Sequence, residues 1–146
     1  ARVGQKMVPD AEWIVGSIFE HERWGTFDRA VSNPPFGKVK RDGGSAPRYK
    51  GGEFEYHVID IAAHHAEFGT FIIPNSSAGF ELSTEYGYRR SDQQKYKTFI
   101  KQTGISLDAG CGVDTRVYAP EWHGVSPGVE IACADFEREN ASDELF

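Results

Sequence analysis

Ser32-Asn33-Pro34-Pro35-Phe36-Gly37 brings a carboxamide, a tertiary-amide carbonyl and a phenyl ring together within a few residues. Asn33 precedes a proline, which pushes it out of the helical region. Pro34 and Pro35 each fix φ and lack an N–H, so the chain leaves along a stiff, extended path. That path points the Pro34 carbonyl and the Asn33 side-chain amide toward the same place. Both oxygens are acceptors and suit a group with two N–H donors. Phe36 adds a flat apolar face, and stacking on such a face is worth about 1–3 kcal/mol per base in nucleic-acid sites. An exocyclic amine on an aromatic ring meets all three demands. The same residues also fit a proline-stiffened surface turn.

The flanking residues are of the kinds that would position such a turn. Phe27-Asp28-Arg29-Ala30-Val31 reads as a short buried strand ending at Ser32. From Gly37 to Gly52, five glycines and five cations make a mobile, basic loop. Its Lys38, Lys40, Arg41 and Arg48 are candidate substrate contacts. A phosphate-contacting or substrate-closing role fits them, and so does a solvated loop with incidental charge. Residues 53–68 show the clearest helical periodicity: Phe54, Val58, Ile61, Ala62 and His65 share a stripe, and Gly69 is placed to end it. His57, His64 and His65 lie on that helix without the spacing of a zinc helix pair, so they read as surface or boundary residues with no metal site. Thr70-Phe71-Ile72-Ile73-Pro74 is an apolar strand of the kind found mid-way in a parallel sheet. Strand, loop, helix, strand is the α/β signature. Asn75 to Ala78 leaves the strand's carboxyl end, where open α/β sheets bind ligands; it reads as pocket lining or as plain loop.

Composition bounds the rest. The 146 residues suit one domain, and 39% hydrophobic with 26% charged residues fits a soluble globular chain. No apolar run is long enough to cross a bilayer and the N-terminus is not signal-like, so a cytoplasmic setting is expected. Cys111 and Cys133 are too few for a disulfide scaffold, form no close metal-binding pair, and read as small buried hydrophobes in strands. A net charge of −6 argues against the whole surface being a nucleic-acid footprint, so any DNA contact comes from a local basic patch or from elsewhere.

At Asn33-Pro34-Pro35-Phe36 the chain resembles the S-adenosylmethionine-dependent amino methyltransferases, above all the N6-adenine DNA methyltransferases of restriction-modification and phage systems. Their catalytic tetrapeptide is Asn or Asp, Pro, Pro, then Tyr or Phe. The resemblance implies that Asn33 and the Pro34 carbonyl accept hydrogen bonds from the target amine and that Phe36 stacks on the extruded base. Positioning then carries most of the catalysis, and no strong general base is needed. In the family, the strand before the catalytic one ends in a Gly-Asp pair that helps bind the cofactor adenine. Here Glu12-Trp13-Ile14-Val15-Gly16 reads as that strand and the pair is Gly16-Ser17, which brings a hydroxyl but no charge. Ile18 and Phe19 offer an apolar wall to the adenine or are ordinary core.

By this resemblance the fold is α/β: a partial Rossmann-like methyltransferase sheet of later strands, the last one antiparallel, lacking the first cofactor-binding strands. Residues 1–136 would be the C-terminal part of a catalytic domain and 137–146 an acidic tail. The third and fourth family strands would then pair directly, or the exposed edge would make a homodimer. Residues 1–7 read as helix, residues 91–102 as a helix stopped by Gly104, and residues 105–109 and 128–134 as further strands. Leu107-Asp108-Ala109-Gly110-Cys111-Gly112 looks like a cofactor glycine motif. That motif needs a helix directly after it, and Pro120, Gly124 and Pro127 oppose one, so it reads as a loop with Asp108 and Asp114 as loop residues. The expected function is methyl transfer from S-adenosylmethionine to adenine N6 in DNA, by a chain working with a missing N-terminal half or recognition subunit. The alternatives are the same chemistry on an RNA base or a protein glutamine amide, or a non-catalytic nucleic-acid-binding or assembly module.

Overall fold

The computed structural model describes residues 2–41, 43–83, 87–121, 123–124 and 128–137. In chain order these form helix α1 (Arg2–Met7), a 3₁₀ helix (Ile18–Arg23), strand β1 (Phe27–Ser32), helix α2 (Phe54–His65), strand β2 (Ala66–Pro74) and the single turn α3 (Asn75–Ala78). The short strands β3 (Phe80–Glu81) and β4 (Arg89–Arg90), helix α4 (Gln94–Thr103), strand β5 (Asp108–Cys111), a second 3₁₀ helix (Thr115–Glu121) and strand β6 (Val129–Asp135) follow.

The architecture is α/β, with a mixed four-stranded sheet in the order β1-β2-β6-β5. β1 and β2 are parallel, with Ser32 opposite Phe71. β6 runs antiparallel to both neighbours, so the last strand is inverted as expected, with Ile72 opposite Ile131. Alternation along β2 puts Phe71 and Ile73 on one face, where they are fully buried with Ile59, Ile61, Phe99 and Ala132. Ile72 and Ile131 point to the other face and are only half-buried. Among the described residues no helix is long and apolar enough to cross a membrane.

Several expectations need correcting. Glu12 to Gly16 is not a strand: it is irregular and exposed, with Ile14 at 60% and Val15 at 79%. Among the described residues no strand pairs with that segment, and an extended segment without a ladder keeps its polar groups in water. Trp13 instead donates its ring N–H to the Val8 carbonyl at 3.1 Å and lies against Gly4. The direct pairing expected between this segment and β1 is therefore absent. β1 is an edge strand among the described residues, and Phe27 and Val31 are exposed rather than buried.

The helix expected to reach residue 68 ends at His65, and β2 begins at once with Ala66. Ala66 and Phe68 pair with Phe27 and Arg29, so ladder formation with β1 overrides the helical pattern. Gly69 is consequently a strand residue, not a helix stop; a Cβ there would sit 2.3 Å from the Phe71 ring. His57 and His65 are buried rather than at the surface, because every residue from Glu55 to Ile61 is enclosed. The strand expected at residues 105–109 starts at Asp108, which is a strand residue and not a loop residue. Ile105 and Leu107 instead give their backbone N–H groups to the Thr103 and Tyr96 hydroxyls. Gly110 falls at a bulge in the β5–β6 ladder, and a 3₁₀ helix containing Pro120 follows, so no crossover helix starts at the glycine motif. Cys111 is exposed, unlike the half-buried Cys133. Gly104 does end α4, with φ of 73° and its N–H on the Ile100 carbonyl. Of the acidic tail expected over residues 137–146, Glu137 is exposed and residues 138–146 lie outside the described residues.

Phe99 is fully buried and stacks on Tyr56 with ring centroids 4.4 Å apart. Truncating it leaves a cavity between α2 and α4. Phe99→Ala should cost about 3–5 kcal/mol in urea unfolding, whereas Val117→Ala at an exposed position should change stability by less than about 0.5 kcal/mol.

Candidate active site

The Asn33–Gly37 turn leaves the carboxyl end of β1, the site where parallel strands of open α/β sheets present ligand-binding groups. Asn33 and Pro35 are exposed, Pro34 is buried and Phe36 is half-buried. All four line one hollow of about 500 Å³. Its opposite walls come from Ile72 and Ile131 on the free face of the sheet, Val129, and Val113 with Thr115. Asn33 and Thr115 are thus the polar side chains in an otherwise apolar lining, an arrangement suited to a flat heteroaromatic group.

The turn is held from behind. Gly37 adopts φ of 72°, where a residue with a Cβ would be strained. Its N–H donates to Glu55 Oε2 at 2.7 Å, and its carbonyl accepts from Phe54 N–H at 2.8 Å. Glu55 is fully buried; its other oxygen accepts from the Ser77 hydroxyl at 2.6 Å. The Tyr56 hydroxyl donates to the Ser77 carbonyl at 2.8 Å, and burial pushes that phenol far above its ordinary range, so it stays a donor. A second buried carboxylate, Glu130, supports the far wall. It accepts from the Leu82 and Ser83 backbone and from the Ser83 hydroxyl, and that hydroxyl accepts from Val113 N–H at 3.0 Å.

The basic loop is anchored rather than mobile. Asp60, fully buried, accepts from Arg48 N–H and Nε and from Tyr49 N–H at 2.7–2.8 Å, so the Arg48 guanidinium is tied to helix α2. Ala46 N–H donates to His57 Nδ1, which leaves the ring proton on Nε2 to donate to the Gly51 carbonyl. The Arg41 guanidinium lies against this nitrogen at 2.6 Å. Burial and then Arg41 lower the His57 pKa, and the Gly51 bond partly opposes them. Lys38 and Lys40 are exposed on the same loop, immediately after the turn.

The four residues expected at the cofactor do not adjoin the hollow. Gly16 is exposed, and Ser17 caps the first 3₁₀ helix by accepting from Phe19 N–H. Ile18 and Phe19 pack against the core, where Phe19 stands edge-on to Phe54 and to His57 at 5.7 Å and covers Gly44. Phe19 is half-buried, one side on the core and the other on a surface hollow beside Glu20, Glu22 and Arg23. These residues alone do not fit an adenine cleft beside the turn.

Comparison with protein-family models, curated proteins and solved structures found no match.

Sequence reasoning missed Glu55, Ser77, Ser83 and Glu130, along with the apolar walls of the hollow. Glu55 did carry a signal. It lies three and seven residues before Val58 and Ala62 on the buried stripe, where a carboxylate needs partners. Ser83 had none, and Ser77 had only its place in the Asn75–Ala78 segment that leaves the carboxyl end of β2. A buried histidine pair was also missed: His65 Nδ1–H donates to the Gly25 carbonyl, so its Nε2 accepts from His21 Nδ1–H at 2.9 Å. Among the described residues no cluster of three or more His, Cys, Asp or Glu is placed to hold a metal.

Burial and the neighbouring His65 and His64 hold His21 below its ordinary pKa of 6.5, and His57 is lowered as well. The unfolded chain therefore binds protons at these sites before the folded chain does. Stability should fall as pH drops below about 6.5, and the fall should continue down to the lowered folded-state values. Thermal melts between about pH 7.5 and about pH 5.5 check this, and His21→Gln should flatten the slope.

Proposed function

We propose that this chain is the catalytic part of an N6-adenine DNA methyltransferase. One observation carries the reading: Asn33, Pro34, Pro35 and Phe36 all line one apolar hollow at the carboxyl end of a parallel strand, with Asn33 exposed. An α/β sheet whose last strand is inverted is compatible with the partial methyltransferase sheet expected from the resemblance. S-adenosylmethionine would supply an electrophilic methyl group on sulfonium. It enters by resemblance alone, because Gly16, Ser17, Ile18 and Phe19 do not form a cleft for it.

The chain's own residues account for how the amine is held. Asn33 Oδ1 and the Pro34 carbonyl take one N–H each from the exocyclic nitrogen. Donating both hydrogens draws that nitrogen away from planarity and frees its lone pair, which projects out of the ring plane. Phe36 fixes the ring by stacking, and the apolar walls exclude water from the reacting nitrogen. Lys38 and Lys40, exposed just beyond the turn, are available to phosphates. Arg48 is committed to Asp60, and the Arg41 guanidinium sits beside the His57 ring.

Two measurements test the reading. Adenosine added to this chain should shift the Asn33 side-chain amide and Phe36 ring resonances, and Asn33→Ala should weaken binding about tenfold. In the polypeptide as its gene encodes it, mass spectrometry of DNA nucleosides should register N6-methyladenine, and Asn33→Ala should lower the yield at least ~100-fold. Methyl groups found instead on RNA or on glutamine side chains would reassign the substrate. An Asn33→Ala rate equal to wild type would remove the turn from the mechanism.

A further inference from the structure

We infer that Glu55 is a positioning residue for this site: through its buried carboxylate it sets the plane of the Phe36–Gly37 peptide and links the turn to Ser77 of α3. The inference rests on the reading of the turn given above. Gly37 is constrained on both sides, its N–H by Glu55 and its carbonyl by Phe54 N–H and Val39 N–H. Glu55 orients the Phe36–Gly37 peptide plane, and the carbonyl bonds orient the next one, Gly37–Lys38, so the backbone from which the Phe36 ring departs is held on its carboxyl side. The Pro34 carbonyl lies only three residues away along a path already stiffened by two prolines. The orienting force of Glu55 is thus transmitted with little slack.

The second contact explains why a carboxylate stands here. Ser77 follows the carboxyl end of β2, and Gly37 follows the carboxyl end of β1. Glu55 accepts from both, so one side chain bridges the ends of the two parallel strands just behind the hollow. Tyr56, the next residue, holds the Ser77 carbonyl, so Ser77 is gripped at both its hydroxyl and its backbone. Rearrangement at either strand end would cost a hydrogen bond to a fully buried charge acceptor. The site is preorganised on this pair.

The chemistry of the network separates a positioning role from simple burial. Glutamine at residue 55 can keep both contacts: its carbonyl oxygen accepts from Gly37 N–H, and its amide donates to the Ser77 hydroxyl, which can rotate to accept. Leucine fills similar space and keeps neither. At a temperature where every variant is folded, Glu55→Leu should weaken adenosine binding at least ~10-fold and displace the Asn33 and Phe36 resonances, while Glu55→Gln should stay within about threefold of wild type. Thr103→Val is the stability control. It removes a buried hydroxyl at the far end of α4 and should lower the melting temperature without changing adenosine binding. If Glu55→Leu does not fold, Ser77→Ala is read in its place, and it should weaken binding about threefold or more. Unchanged binding in the variant read, or equal weakening by Thr103→Val, overturns the inference. Wild-type chain that binds no adenosine sinks the functional reading and this inference with it. Binding that Asn33→Ala weakens but Glu55→Leu leaves intact sinks the inference alone.

Discussion

The structure depends on a constraint set by helix α2: it is enclosed almost all round yet carries two carboxylates, Glu55 and Asp60, with no exposed surface. A buried carboxylate without hydrogen-bond donors is costly, so the chain before the helix must bring donors to it. The stretch from Gly37 to Gly52 does so. Gly37 reaches Glu55, and Arg48 with Tyr49 reaches Asp60. A glycine-rich segment that would otherwise be free becomes a strap fastened at both ends. Its glycines permit the close approach, as at Gly44 beneath Phe19 and Gly51 beside Tyr49.

The same logic shapes the hollow. Each of its two sides rests on a glutamate sealed in the interior, Glu55 behind the proline turn and Glu130 behind Val113. The floor is the free face of the sheet at Ile72 and Ile131. Rigid polar anchoring lies behind the cavity and apolar surface faces into it. That division lets a flat ligand be gripped by shape and stacking while a few oxygens choose its orientation.

Much of the scaffold was legible because it obeys local rules. The apolar run ending at Pro74, the last strand and the stop at Gly104 follow from apolar composition and glycine placement, and the strand ending at Ser32 was legible in its bounds though not in its exposure. The turn itself follows from two prolines. Three kinds of feature were not legible. Glu12 to Gly16 has strand-like residues, but strand formation depends on a partner that sequence alone does not supply. His57 lies off the apolar stripe and His65 at its end, so both read as surface or boundary residues, and the wrapping of the Gly37–Gly52 strap and of the segment around His21 and Gly25 encloses them. The anchoring contacts of Ser77 and Ser83 join residues distant in sequence, and a lone serine carries no hint of such a partner. Hydrogen bonding also settled the α2–β2 boundary against helical periodicity.

That boundary has a consequence for how the chain tolerates change in length. Helix gives way to strand between His65 and Ala66 with no intervening residue, so helix phase and strand pleat are locked together. Adding or removing a single residue in α2 would turn Glu55 and Asp60 by about 100° relative to β2. The same one-residue slip within β2 would trade Phe71 and Ile73 for Ile72 on the core side. Insertions and deletions are thus kept out of α2 and β2, and the span from Phe54 through Pro74 behaves as a part of fixed gauge.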